Sequence, residues 1–178
     1  MLRHVIYSFA FVLSFTTAQA ETPENYFGVS AIIDGELQFD DPGFVDSNFN
    51  SGFILSFGHQ IQDQVSVEIA HTKYADNSSG YLESELTAWE ISGLFHFPQN
   101  GPFIRLGYSD GKLTSTVIDL DTGQVVGNIS GSDSGVIFGV GYDIPISQDT
   151  GILRLEYGQA DYDDGEVTRL TLGTLIRF

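Results

Sequence analysis

Counted back from the last residue, Phe178, Ile176, Thr174, Leu172 and Leu170 fall on one side of the chain. Arg177, Leu175, Gly173, Thr171 and Arg169 fall on the other. A period of two with one greasy face and one small or charged face is the pattern of a β-strand. The same alternation recurs upstream. Phe27, Val29, Ala31 and Ile33 alternate with Gly28, Ser30 and Ile32 in a first strand over Tyr26 to Ile33. Phe53, Leu55 and Phe57 alternate with Ile54 and Ser56 between Gly52 and Gly58, and Val65, Val67 and Ile69 with Ser66, Glu68, Ala70 and Thr72 up to Tyr74. Within Leu82 to Phe97, Trp89, Ile91, Gly93 and Phe95 face away from Ala88, Glu90, Ser92, Leu94 and His96. A fifth strand begins at Phe103, with Ile104, Leu106 and Tyr108 opposed to Arg105, Gly107 and Ser109. A sixth, Gly135 to Tyr142, sets Val136, Phe138 and Val140 against Ile137, Gly139 and Gly141. In the seventh, Leu153, Leu155 and Tyr157 oppose Ile152, Arg154, Glu156 and Gly158, and Val167 to Phe178 closes the set at eight.

The segments between these strands alternate in length. Asp34 to Asn50 reads as a long acidic loop, His59 to Gln64 as a short turn, Ala75 to Gly80 as a polar loop, and Pro98 to Gly101 as a tight turn. Past Asp110-Gly111 the alternation resumes from Leu113 to Leu120, turns at Asp121-Thr122-Gly123 and returns through Gln124 to Ile129, predicting a hairpin that overshoots its neighbours. A turn through Pro145 follows the sixth strand, and Asp161 to Glu166 reads as a short acidic loop on the long-connector side. An even number of strands joined by turns at one end and longer loops at the other predicts an all-β fold: an eight-stranded antiparallel up-and-down transmembrane β-barrel.

Alternation alone does not say which face is outside, since a soluble carrier barrel alternates with its apolar face inward. Three features favour apolar-out. The apolar face is nearly free of charge, as lipid requires. Aromatic residues gather near strand ends, with Phe97, Phe103, Tyr142 and Phe178 at the short-turn end and Trp89, Tyr108 and Tyr157 toward the other, although the parity of Phe103 puts it on the inner face. The second face mixes Gly, Ser and Ala with Glu68, Glu90, Arg105, Arg154, Glu156 and Arg169, both charge signs together. The lumen of an eight-stranded barrel is just wide enough for side chains to fill it, so these six are expected to form an interlocked charge network.

Residues 1–20 change the picture further. Arg3 and His4, an apolar run from Val5 to Phe15 and an Ala18-Gln19-Ala20 site have the form of a secretory signal, with cleavage expected after Ala20. The run is shorter than the roughly 20 residues a spanning helix needs. The expected division is a signal peptide over 1–20 and a barrel domain over 21–178, with both barrel ends in the periplasm. With 24 acidic residues against 7 basic, no nucleic-acid partner is expected. Without cysteine there is no disulfide, thiolate metal site or cysteine nucleophile.

On these residues the chain resembles the small OmpA/OmpX-type outer-membrane β-barrels. Leu170, Leu172, Ile176 and Phe178 are similar to the terminal signal that the barrel-assembly machinery reads in that family, and Leu113 to Ile129 resembles the protruding sheet of the OmpX type. The resemblance implies a bacterial outer-membrane location and, as partners, outer-membrane lipid, lipopolysaccharide and that machinery. No peptidoglycan-binding domain follows Phe178, so a tether of the full OmpA kind is not expected. One barrel type with this fold is a lipid A-modifying enzyme whose His and Ser lie close together on a late strand. Leu155 to Ala160 here has neither, and His59, His71 and His96 lie on separate elements, so no catalytic set is expected. Asp161 to Glu166 lacks the full order of a calcium loop, and neither metal nor cofactor is expected. Asp34, Glu36, Asp40, Asp41 and Asp46 read as a solvated surface open to surface ligands or to divalent ions shared with lipopolysaccharide phosphates. Asn77-Ser78-Ser79 and Asn128-Ile129-Ser130 match a glycosylation acceptor that a bacterial outer membrane would not use. The functional expectation is a non-enzymatic envelope barrel with a filled lumen. A narrow pore, a lipid A-modifying enzyme and a soluble periplasmic carrier are the alternatives.

Overall fold

In a computed structural model of the chain, ten strands form one antiparallel sheet that closes on itself. Residues 25–40, 47–49, 51–74, 77–79, 82–97, 101–118, 125–146 and 150–178 are described. The wall consists of β1 (Asn25–Phe39), β3 (Gly52–Gln62), β4 (Val65–Tyr74), β6 (Leu82–His96), β7 (Pro102–Ile118), β8 (Val125–Pro145), β9 (Gly151–Tyr162) and β10 (Gly165–Arg177). Two short pieces, β2 (Ser47–Phe49) and β5 (Asn77–Ser79), pair with the outer parts of β1 and β6. Each long strand pairs with its sequence neighbours, and β10 returns to β1 with Phe27 opposite Ile176 and Ala31 opposite Leu172. This is a closed eight-stranded up-and-down barrel, which leaves no unpaired edge around its girth.

The alternation orients the side chains inside out relative to a soluble protein. Phe138, Leu155 and Leu172 point outward and are 54%, 43% and 42% exposed, whereas Glu90 and Arg154 are 2% and 3% exposed. Phe97, Tyr142 and Phe178 project outward at the short-turn end, and Trp89, Tyr108 and Tyr157 project from the same apolar surface farther from it. Phe103 does not belong to that girdle: it is buried in the lumen, as its parity requires.

Several strands run past the ends read from the sequence. The first strand does not stop at Ile33. A bulge there takes up one residue, and Asp34 to Phe39 continue opposite Leu170 to Gly165. The bulge inverts the parity, so that Ile32 and then Gly35 face inward while Ile33 and Asp34 both face outward. His59 to Gln62 extend the strand rather than turn it, leaving Asp63-Gln64 as the turn. Asp110-Gly111 is uninterrupted strand, and β7 and β8 stay paired from Pro102 opposite Tyr142 to Ile118 opposite Val125, as the overshooting hairpin requires. The acidic stretch from Asp161 to Glu166 is mostly strand. Only Asp163-Asp164 turn, so the seventh connector is short. In each case backbone pairing with a neighbour holds polar residues extended where their composition suggested a loop. Residues 1–20, where a signal peptide is expected, and Asp41, Asp46, Pro98 to Asn100, Asp121 to Gly123 and Asp149 lie outside the described residues.

Candidate functional site: the charged lumen

The inner face receives every second residue of eight strands, and these residues differ greatly in size. Tyr26 and Phe103 bring rings into the short-turn half of the lumen. Gly58 and Gly141 lie opposite them, at positions where even a methyl group would overlap the rings. Between the two rings sits the guanidinium of Arg154, 4.6 Å from the Phe103 ring centroid and 5.7 Å from that of Tyr26. Stacking of a cation on aromatic faces stabilises a guanidinium that has left water.

Arg154 also meets two carboxylates. Its Nε and Nη2 donate to Asp143 Oδ1 and Oδ2, each at 2.8 Å, a two-pronged pairing that uses the planar fork of the group. Its Nη1 donates to Glu68 Oε2 at 2.9 Å, and the Tyr26 hydroxyl donates to the same oxygen at 3.0 Å. The other Glu68 oxygen accepts from Arg105 Nη2 at 2.8 Å. Arg105 in turn donates to both oxygens of Glu156, at 2.6 and 2.9 Å, and to Ser92 Oγ at 2.6 Å. Glu68 therefore joins two arginines, and one continuous lattice ties β4, β7, β8 and β9 together across the axis.

Arg169 and Glu90 form a second, separate unit nearer the outer end. Arg169 Nη2 donates to Glu90 Oε2 at 2.7 Å, and Nη1 donates to the other oxygen. Thr72 Oγ1 donates to Glu90 at 2.8 Å, and Arg169 Nη1 also reaches the Tyr74 hydroxyl at 2.9 Å. Among the described residues, no buried side-chain nitrogen or oxygen lacks a hydrogen-bond partner. That matters because an unpaired buried charge is strongly destabilising, while a fully paired one is tolerated.

All six charged residues singled out by parity thus lie in the lumen, distributed between these two units. Asp143, the fourth buried carboxylate, was not among them. The alternation predicts a sixth strand from Gly135 to Tyr142, which stops one residue short of Asp143. The signal that would have found it is the continuing inward series Gly139, Gly141, Asp143. Tyr26 and Tyr74, whose hydroxyls complete the network, were hidden for a similar reason: each sits at the edge of its strand in the sequence.

The three described histidines do not come together. His59 Nδ1 pairs with Asn25 Oδ1 at 3.0 Å, the His71 ring packs edge-on against Trp89 at 4.7 Å, and His96 Nε2 meets Asp143 Oδ2 at 3.1 Å. Each is engaged on a different element. In the acidic stretch of the seventh connector, Asp161 and Glu166 pair across strands on the outer face, while Tyr162 turns inward to Ser109 at 2.8 Å. Among the described residues no group of three His, Asp or Glu side chains is placed to hold a metal ion. The terminal residues Leu172, Ile176 and Phe178 are exposed on the apolar outer face, with Leu170 half-buried beside them.

Residues 7–178 match the family profile described as outer membrane protein beta-barrel domain. Among solved structures the chain is similar to Ail, the attachment invasion locus protein of Yersinia pestis, at 17% identity over 89% of this chain and 100% of that one, with a TM-score of 0.62. Ail in complex with the heparin analogue sucrose octasulfate matches at 15% identity over the same shares, with a TM-score of 0.61. Neisserial surface protein A matches at 16% identity over 89% of this chain and 100% of that one, with a TM-score of 0.59. No curated protein matches in sequence.

Proposed function

This chain belongs to the outer-membrane β-barrel domain family, and from that premise we propose that it is a non-enzymatic barrel with a closed lumen that strengthens the envelope and presents acidic outer segments. Its place is the bacterial outer membrane. The observation that carries the reading is the lumen itself, where three arginines and four carboxylates interlock with every described buried side-chain polar atom partnered. A lattice of this kind braces opposite walls against each other and leaves no continuous passage for a hydrated ion.

Residues 1–20 act in this reading as the cleaved export signal, and 21–178 as the barrel. The outward row Leu170, Leu172, Ile176 and Phe178 serves as the assembly signal, because it offers an exposed apolar strand end to the assembly machinery. Lipid and lipopolysaccharide cover the apolar belt. The heparin analogue bound by Ail is a polyanion, and that ligand class is not carried over. The outward polar positions above the belt here include Asp34, Glu36, Asp161 and Glu166, which would repel it.

Single-channel recording in planar bilayers tests the closed lumen. The purified barrel should give no sustained conductance steps. Steps that disappear on Glu90→Gln or Arg154→Met would convert the assignment to a narrow pore. Mass spectra of lipid A from cells with and without the protein should be identical, since among the described residues no His and Ser are paired for catalysis.

A further inference from the structure

The ion pairs do not fill the lumen evenly. At the short-turn end a pocket reaches inward from Gln60, Asp63 and Arg177 at the rim to Asp143 and Arg154. It holds a volume of about 10 Å³, the space of one water. A second cavity of about 10 Å³ lies deeper, among Ser56, Glu68, Glu90, Glu156 and Thr171. Arg154 and Leu175 line both, so these two side chains form the wall between them. A void of this size holds a water where polar groups converge on it, and both voids are lined by charged groups.

The other direction is different. Ile32, Ile54, Ala70, Tyr74, Ala88 and Val167 are buried against one another, with Leu37 and Phe49 packed on them; Ile54 and Ala70 form the floor of this group and also line the deeper cavity. These residues belong to the outer parts of their strands: Tyr74 ends β4, Leu37 pairs with Val167 near the top of the β1–β10 seam, and Phe49 comes from β2. The Phe49 ring stands edge-on to Tyr74 at 5.4 Å, and Tyr74 turns its hydroxyl toward Arg169 rather than outward. The hydroxyls at this level, those of Tyr74 and of Tyr162 packed beside it, are already engaged by Arg169 and Ser109, so the tier turns mainly hydrocarbon to water, and apolar constrictions in pores block by staying dry.

We infer that the lumen is wetted from the periplasmic end, through two single-water sites in series, and that the apolar tier above them is the barrier to water and protons. The inference rests on the closed-lumen reading and assigns its two layers separate tasks: the ion pairs brace the wall, and the apolar tier makes it tight. Proton passage is set by the tier because the charged layers beneath it already carry water and exchangeable hydrogens. Leu175 only partitions water that has already entered.

Water-to-methyl cross-relaxation in lipid nanodiscs tests this without any substitution. The methyl groups of Ala70 and Leu175, which line the cavities, should show contact with long-lived water, and those of Ala88 and Val167 should show none. Contact at Ala88 and Val167 with none at Leu175 would overturn the inference. Vesicles enclosing a pH-sensitive dye give the functional arm. The double variant Ile54→Ser/Val167→Ser should raise proton leak by about tenfold or more over wild type, while Leu175→Ala should stay within about twofold. A leak caused by Leu175→Ala alone, or a correctly folded double variant that does not leak, would place the barrier in the charged layers instead. Ion conductance steps in the wild-type barrel are a separate outcome that would end the closed-lumen reading itself.

Discussion

At the scale of single residues, Arg154 holds more of the lumen together than any neutral partner in it. It neutralises Asp143 through both oxygens, shares Glu68 with Arg105 and stacks on two rings. Arg154→Met keeps much of the side-chain volume but, among the described side chains, leaves Asp143 with only His96 and leaves one Glu68 oxygen with only the Tyr26 hydroxyl. Stranding buried charge in this way is expected to destabilise the barrel by about 3–5 kcal/mol. Tyr26→Phe removes one hydrogen bond to a carboxylate that keeps both arginines, and is expected to cost about 1.5–3 kcal/mol. Urea unfolding in lipid vesicles, followed through the single tryptophan Trp89, measures both. Equal losses, or a larger loss for Tyr26→Phe, would contradict the lattice as the brace. Arg154→Lys should not rescue, because an ammonium cannot span the Asp143 carboxylate and reach Glu68 at once.

At the scale of the element, the strands carry two kinds of outward position on one parity. Leu172 lies in the lipid belt of β10, opposite Ala31 and Leu155, while Thr168 lies nearer the outer turn, opposite Glu36 and Gln159. Charge on the lipid face is penalised by depth. Leu172→Arg should therefore cost about 2–4 kcal/mol and Thr168→Arg about 0–1 kcal/mol in the same unfolding assay. Similar effects at the two sites would mean that the outer surface of β10 meets water along its whole length. The bulge at Ile33 belongs to this scale too. Without it Asp34 and Glu36 would turn into the apolar tier and Leu37 would turn out, so one extra residue lets a polar strand continue above an apolar one.

At the scale of the whole molecule, closure of β10 on β1 makes the fold all-or-none around its circumference. Each strand is held on both sides along its membrane-crossing part, so detergent at room temperature finds no free edge from which to start unfolding. The barrel should migrate differently on gels before and after boiling, and a single unchanged band would argue against closure. The acidic excess, 24 carboxylic acids against 7 basic residues, is distributed unequally by this closure. Three arginines and four acids lie in the lumen, so the rest of the chain carries 20 acids against 4 basic residues: the net excess is nearly unchanged, but the ratio of acid to base rises.

The sequence by itself determined the strand count, the up-and-down order and the facing of nearly every side chain, because alternation is a local property of an extended backbone and the distribution of charge and aromatic rings chose which of its two faces is outside. It did not determine where strands end. Asp34 to Phe39, His59 to Gln62, Asp110-Gly111 and Asp161-Tyr162 have the composition of loops, and only pairing with a neighbouring strand keeps them extended. Nor could it say which charge meets which. Glu68 joins Arg105 and Arg154, separated from it by 37 and 86 positions, and Asp143 enters the same lattice from a strand read as already finished. Those choices depend on strand tilt and on which inward side chains share a level of the lumen, and both exist only once the cylinder has closed.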